Sequence, residues 1–339
     1  MNQEIWQQLL SLENFDLVQQ WFKQIHGRSL NSKRTKEIIA SARQSREYFR
    51  NANFADFSVK PLLTYYGVAS LSRSMILLLT REGGEETLTS GHGIETINWK
   101  KYAAAESNDF MKDLGGLQIR TCSGLFNDLL QKTNNRLSLH LHSNIVDTRI
   151  CYPIPPIDIN LTLNELLSRI PDMFPEHKNT SIPVKYCKTL DVRCDESGFS
   201  ADIANINLDQ ILSTYSNLGY QFSIIDEEIT QMKCDFNNYI KKPPLLINTY
   251  IQKEFGWIND LYVIEPINKE YYYSQICITF LVSYFLGMLV RYYPTQWISL
   301  LQGNKGDILW PTLNRAHHYI ENSYPELIME MIQDIVFSK

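Results

Sequence analysis

The stretch "VKPLLTYYGVASLSRSMILLL", residues 59–79, reads as a helix that is apolar almost all round and yet carries Arg73. On a helical projection Leu62, Tyr66, Ala69 and Arg73 share one side, because side chains three and four apart stack along one face. Beside them Gly67, Ser70 and Ser74 form a narrow stripe of small residues. A second apolar run, "ICITFLVSYFLGMLV" over 276–290, repeats the device with Thr279, Ser283 and Gly287 at four-residue intervals. Small residues on otherwise bulky helices permit close ridge-and-groove contact. The two helices, 59–80 and 271–293, are therefore expected to pack together despite their separation in the chain.

Working outward, a helical pattern over 33–53 returns Ile38, Ala42, Phe49 and Ala52 to one face, and an amphipathic segment over 3–24 precedes it. Ser58 is a candidate cap for the 59–80 helix, and Pro61 is tolerable in its first turn. After "EGGEETLTSGHG", a loop by its glycines, the pattern turns mixed. "LQIRTCSGLFNDLLQKT" suggests a strand, a turn and a helix. "RLSLHLHSNIV" alternates as a half-buried strand does, and "VKYCKTLDVRC" and "YQFSIIDEEITQMKCDF" add strand-like pieces. Thr162 and Glu165 have the spacing of a capping box. A final helix is expected within "SYPELIMEMIQDIVF". The fold class is α+β: an amino-terminal helical region over 1–95, a mixed strand-bearing middle over 96–265, and carboxy-terminal helices over 266–339 that pack on the first region.

The 339 residues are 44% hydrophobic and 20% charged, with a formal charge of -5. That is globular composition with no overall basic footprint, so nucleic-acid contact would need a local patch. Six scattered cysteines without a Cys-x-x-Cys pair indicate neither a zinc knuckle nor a disulfide scaffold. The start "MNQEIWQQLLSLENF" lacks the basic and apolar runs of an export signal. The 276–290 run is shorter than the ~20 residues of a membrane span. A cytoplasmic location without a membrane partner is the expectation. GxxxxGK[ST], a convincing GxGxxG turn, GxSxG and HExxH are all missing, which argues against a standard nucleotide hydrolase, dinucleotide enzyme, esterase or zinc peptidase.

Arg73 and Arg291 flank the seam between the two apolar helices, and a guanidinium beside such a seam needs an acid, carbonyls, water or an anion. Arg43, Arg46 and Arg50 occupy one sector of the preceding helix. Such a row can grip phosphate bidentately, although a solvated face with local ion pairs has the same pattern. His92, between Gly91 and Gly93, could transfer a proton where the glycines let backbone and ligand approach; a turn-stabilising histidine is the structural counterpart. His140 and His142 project from one side of the expected strand at a metal-compatible spacing, but no third and fourth ligands accompany them. "NRAHHYIE" reads as a surface helix.

The strings "ARQSREYFRNA", "PLLTYYGVASLSRSMILLL", "GHGIE", "GLFNDLLQ", "LNELLSRIPDMF", "VRYYPTQW" and "YPELIMEMI" occur in an order that resembles the YaaC-like family of bacterial proteins and span most of the chain. The helix pair also looks like those of HEPN-type domains, which occur in bacterial defence proteins and include metal-independent ribonucleases. That resemblance implies a HEPN-like helical core formed by both terminal regions. Such enzymes carry Arg-x4-6-His on a helix. Arg136 with His142 is a literal match, but it falls in a strand-like alternation, and Arg315 with His317 and His318 has the wrong spacing. The expected role is a binding or interaction component, implied by resemblance to serve defence, with a partner protein or a second copy of the chain as its partner. The alternatives are a divergent ribonuclease using His92 with Arg73 or Arg291, and a nucleotide-binding sensor at the arginine-rich side. No cofactor and no metal are expected, and RNA or a nucleotide is the alternative ligand.

Overall fold

The computed structural model describes residues 3–100, 114–140, 150–180, 182–250, 260–303 and 307–337. The chain divides into two compact units. The first holds residues up to 133, 156–166 and those from 276 onward; the second holds 134–155 and 167–275. The two ends of the chain thus share a unit. That unit also contains 96–133 and 156–166, which the sequence pattern groups with the middle.

In the first unit the opening segment breaks into α1 (Gln3–Leu9), a 3-10 turn and α2 (Phe15–His26). The break is chemical: the Asn14 side chain accepts from the backbone amides of Asp16 and Leu17 and starts a new helix. Gly27, at φ 68, ends α2 in the left-handed conformation. Asn31 caps α3 (Ser32–Phe54) through the Arg34 amide. This helix buries Ile38, Ala42, Phe49 and Ala52, as its periodicity requires. α4 (Lys60–Leu79) follows with Pro61 in its first turn. Ser58 does not cap α4; its amide donates to Asp56 instead.

The small-residue stripe of α4 seats α3. A Cβ on Gly67 would lie 2.6 Å from the Phe49 ring, Ser45 donates to the Gly67 carbonyl at 2.8 Å, and Ser74 donates to the Ile38 carbonyl at 3.1 Å. This corrects the expectation that the stripe would meet the late helix. Two short hydroxyl-to-carbonyl bonds require backbones closer than a seam of bulky side chains permits, and α3 is the neighbour that α4 reaches through a short turn.

β1 (His92–Ile97), β2 (Gln118–Gly124) and β3 (Asn160–Thr162) form an antiparallel sheet in that order. Between β1 and β2, Glu95 faces Arg120 and the pair is joined by an ion pair. α5 (Leu125–Lys132) runs on from β2, and α6 (Leu163–Leu167) from β3. The capping box is present in reciprocal form: the Thr162 amide donates to the Glu165 carboxylate at 2.8 Å, and the Glu165 amide donates to Thr162 Oγ1 at 3.1 Å.

α7 (Gln275–Tyr292), α8 (Pro294–Leu301) and α9 (Trp310–Phe337) complete the unit. α7 does pack on α4, through Gly287: a Cβ there would fall 2.7 Å from the Tyr65 Cβ. The Tyr65 ring meets Phe280 and Tyr284 edge-on, with centroids at 6.2 and 5.5 Å. Of the other small residues on α7, Thr279 donates to the Tyr319 hydroxyl of α9 and Ser283 to its own helix. α4 and α7 are long and apolar enough to cross a membrane, and 61% and 89% of their apolar windows are buried inside the protein. α9 begins well before the expected Ser323 and carries Pro325 in its interior. A proline there costs ~3 kcal/mol, which burial of Tyr319, Ile320, Tyr324, Leu327 and Ile328 offsets.

The second unit is built on a six-stranded antiparallel sheet of order β6-β7-β5-β4-β9-β8. Its strands are β4 (Tyr186–Asp195), β5 (Gly198–Ala204), β6 (Gln221–Ile224), β7 (Ile229–Asp235), β8 (Leu246–Asn248) and β9 (Leu261–Ile264). The described part of "RLSLHLHSNIV" is not a ladder strand and makes one isolated bridge, Arg136 to Cys151. Its backbone is satisfied differently, for the His140 amide donates to the Asn248 side chain at 2.9 Å. The protein is α+β, with its larger sheet in the middle of the chain.

Candidate functional site

A pocket of about 360 Å³ opens in the first unit where α3, α4 and β1 converge. Gln44 and Tyr48 come from α3, one turn apart. From α4 come Tyr66, Ala69 and Arg73, which lie on the less buried strip of the helix, and the buried Ser70 beside them. This explains Arg73 in so apolar a helix: its face is the wall of a cleft, not a buried seam. Gly91, His92 and Leu125 close the far side.

His92 is the first residue of β1, not a loop residue, and its two glycines act differently. A Cβ on Gly93 would meet the Phe126 amide at 2.7 Å, so Gly93 allows β1 to press on the start of α5. Gly91 sits at φ 89 with open space where a Cβ would be, and its carbonyl accepts from the Leu125 amide at 3.1 Å. Positive φ at both suits glycine alone.

The His92 Nδ1 lies 2.7 Å from the Tyr65 hydroxyl. Burial pushes the Tyr65 phenol far above its ordinary value, so it stays protonated. Burial, and then the positive charge of Arg291, hold the His92 imidazole below the usual histidine value, so it is neutral at pH 7. Between a phenol and a neutral imidazole the better donor is the O–H and the better acceptor the ring nitrogen. Tyr65 therefore donates to Nδ1, and His92 carries its proton on Nε2.

Arg73 is exposed and has no ion pair or hydrogen bond among the described residues. Arg291, from α7, donates to the Tyr66 hydroxyl at 3.0 Å and lies over the Tyr292 ring. The structure brings His92 and Arg73 to one pocket and ties Arg291 to its wall through Tyr66. Tyr48 and Tyr66 stack with centroids 5.6 Å apart and planes at 28°. The Ser70 hydroxyl donates to Gln44 Oε1 at 3.3 Å, which leaves the Gln44 amide NH₂ to donate. The pocket thus combines donors, one unpaired cation and aromatic surface.

The arginine row on α3 lies elsewhere and is engaged. Arg43 and Arg46 both bind Glu13, and Arg46 and Arg50 both bind Glu47. Four carboxylate contacts take up much of the charge that a phosphate would meet. His140 is buried in the second unit, while His142, which is also the histidine of the Arg136 match, lies outside the described residues. His317 of "NRAHHYIE" is buried rather than on a surface helix, because α9 turns that side toward α4, where Thr64 meets its Nε2 at 2.9 Å. Among the described residues no three His, Cys, Asp or Glu side chains gather as a metal site would need.

Tyr65, Tyr48 and Gln44 were not singled out by the sequence. Gln44 and Tyr48 do recur four residues apart on α3, beside its apolar face, and that spacing is the signal that could have found them.

A family model described as YaaC-like Protein matches residues 8–332. No curated protein and no solved structure matches the chain.

Proposed function

The chain belongs to the YaaC-like family, and from the pocket walled by α3, α4 and β1 we propose that it is a binding component whose ligand carries a phosphate. The carrying observation is Arg73, a guanidinium left without a partner among the described residues, in the same pocket as the imidazole of His92. A guanidinium presents its donors as a fork that matches phosphate oxygens, and the Nε2–H of His92 adds a neutral donor from the opposite wall. A pocket of about 360 Å³ falls within the range of small-ligand sites, roughly 300–1,000 Å³.

Binding is favoured over cleavage by the tautomer. A general base must offer a bare nitrogen to the hydroxyl it deprotonates, and Tyr65 occupies the bare nitrogen of His92. The rival, a divergent HEPN-type ribonuclease, would require that imidazole to exchange its tautomer first. Bacterial defence belongs to this proposal only through the HEPN-like resemblance of the helices.

Calorimetric titration with inorganic phosphate and ribose 5-phosphate tests the reading. Arg73→Gln is expected to weaken binding by about 10- to 150-fold, the loss of a charged hydrogen-bond partner, with an unchanged melting temperature in the free protein. Saturable binding that is indifferent to Arg73→Gln refutes the assignment of the pocket. Metal-free incubation with mixed RNA is expected to leave the RNA intact; cleavage abolished by His92→Ala transfers the site to the ribonuclease reading.

A further inference from the structure

We infer that the ligand of this pocket is a nucleoside monophosphate unit, its phosphate on Arg73 and His92 and its base laid against the Tyr48–Tyr66 pair. The inference rests on the phosphate-binding reading and adds the identity of what carries the phosphate. Three features of the wall argue for it. The phosphate partners and the two tyrosines line the same pocket, so one ligand meets both. Tyr48 and Tyr66 are half-buried and already stacked on one another at 5.6 Å and 28°, and a planar heterocycle extends such a stack without moving it. Stacking tolerates every base, since each has a π face.

The tyrosines are also held in place. Arg291 fixes the Tyr66 hydroxyl at 3.0 Å, which orients the ring before the ligand arrives and reduces the ordering that binding requires. Gln44 is turned by Ser70 so that its NH₂ can donate, which suits an acceptor on the edge of a base. A sugar phosphate without a base would leave the aromatic wall and this donor unused.

The unit has two sources, a free nucleotide and the 5′-phosphate end of an RNA, and the experiment separates them. Affinities of the wild-type protein are measured by calorimetry for AMP, UMP, ribose 5-phosphate and a short 5′-phosphorylated oligoribonucleotide. Both nucleotides are expected to bind roughly 5- to 150-fold more tightly than ribose 5-phosphate, the increment of one base stacked on an aromatic side chain. Tyr48→Leu is expected to erase that increment and leave ribose 5-phosphate binding as it was, while Tyr48→Phe retains it. Melting curves verify that both variants are folded. An oligoribonucleotide that binds more tightly than AMP and UMP, with the same Tyr48 dependence, assigns the unit to an RNA end; equal or weaker binding assigns it to the free nucleotide. If ribose 5-phosphate binds as tightly as the nucleotides, the inference falls and the phosphate reading stands. If no phosphate-bearing probe binds, both fall.

Discussion

The hydroxyl of Tyr65 and the Nδ1 of His92 meet at 2.7 Å, and through them α4 holds the first residue of β1 at the mouth of the pocket. Tyr65 itself is fully buried against α7, with its Cβ beside Gly287 and its ring edge-on to Tyr284. The histidine that faces the pocket is therefore positioned from a fully buried residue of the core.

Tyr65→Phe removes this bond while keeping the ring. The expected loss of stability is about 1–2 kcal/mol by urea denaturation, that of one hydrogen bond whose acceptor is left half-buried. The more specific readout is nitrogen NMR of the His92 ring. The wild type is expected to show the Nε2–H tautomer, and the variant a mixture. A wild-type ring protonated on Nδ1 would reverse the donor assignment and remove the argument against base catalysis.

Gly287→Ala tests the α4–α7 contact. Alanine is the better helix former by about 1 kcal/mol, so an exposed site would gain stability. Here the new methyl would stand 2.7 Å from the Tyr65 Cβ, an atom fixed to the backbone. Overpacking of this kind costs about 1–3 kcal/mol, and the net effect is expected to be destabilising. A variant as stable as the wild type would mean that the helices separate freely at that point.

Arg34→Met addresses a buried cation that no sequence motif marks. Arg34 Nη1 donates to the Arg81 carbonyl at 3.0 Å, and Nη2 donates to the carbonyls of Leu77 and Thr80, so the guanidinium closes the carboxy-terminal end of α4. It also lies over the Phe22 ring, 5.0 Å from its centroid. Methionine retains the stem but leaves the carbonyls without their donor. The expected loss is about 2–4 kcal/mol in urea denaturation, since hydrogen bonds to a charged group are worth ~1.5–3 kcal/mol each and share one desolvation. A loss below about 0.5 kcal/mol would show that water replaces the guanidinium at no cost.

What the sequence disclosed follows what periodicity can carry. The buried face of α3, the apolar character of α4 and α7 and the Thr162–Glu165 capping box are all local patterns, and each has its counterpart in the structure. Partner choice is not local. Gly67, Ser70 and Ser74 announce that a backbone comes close, but whether it is α3 or α7 depends on a three-dimensional competition that spacing does not encode. The site was legible to the same degree. Arg73 and His92 stand out as a charge in an apolar helix and a histidine between glycines, and the fold sets them in one pocket. Gln44 and Tyr48 line the pocket, and Tyr65 bonds His92, through a convergence of three elements; the four-residue spacing of Gln44 and Tyr48 is the one local mark they carry, and Tyr65 has none that separates it from a packing residue. The row of Arg43, Arg46 and Arg50 is conspicuous in sequence for its charge, yet Glu13, thirty residues earlier than Arg43, engages two of the three.

His317 provides a pH test of how α9 is held. Its Nε2 meets the Thr64 hydroxyl at 2.9 Å, and its Nδ1 lies 4.0 Å from a Glu321 oxygen. That carboxylate would favour a charged imidazole were it not 3.5 Å from the Lys60 ammonium, which already neutralises it. Burial, with Lys60 and His318 adding to it, pushes His317 down to about 3, so it is neutral in the folded protein. The sign follows from linkage. As pH falls through ~6.5, the ordinary histidine value, the unfolded chain takes up a proton that the folded protein refuses, and stability drops with a limiting slope of about 1.4 kcal/mol per pH unit. Above pH 7.5 the residue contributes no slope. Between pH 7 and pH 5 the wild type should lose about 2 kcal/mol through this one group, on top of losses from carboxylates. His317→Gln keeps an acceptor for Thr64 and cannot titrate, so its stability curve should be flatter by that amount over the same interval, while carboxylate losses are common to both proteins. Urea denaturation at pH 7, 6 and 5 measures the difference. Parallel curves would show that the imidazole is solvated or paired when charged, and that the contact between α4 and α9 is looser than the Thr64–His317 bond requires.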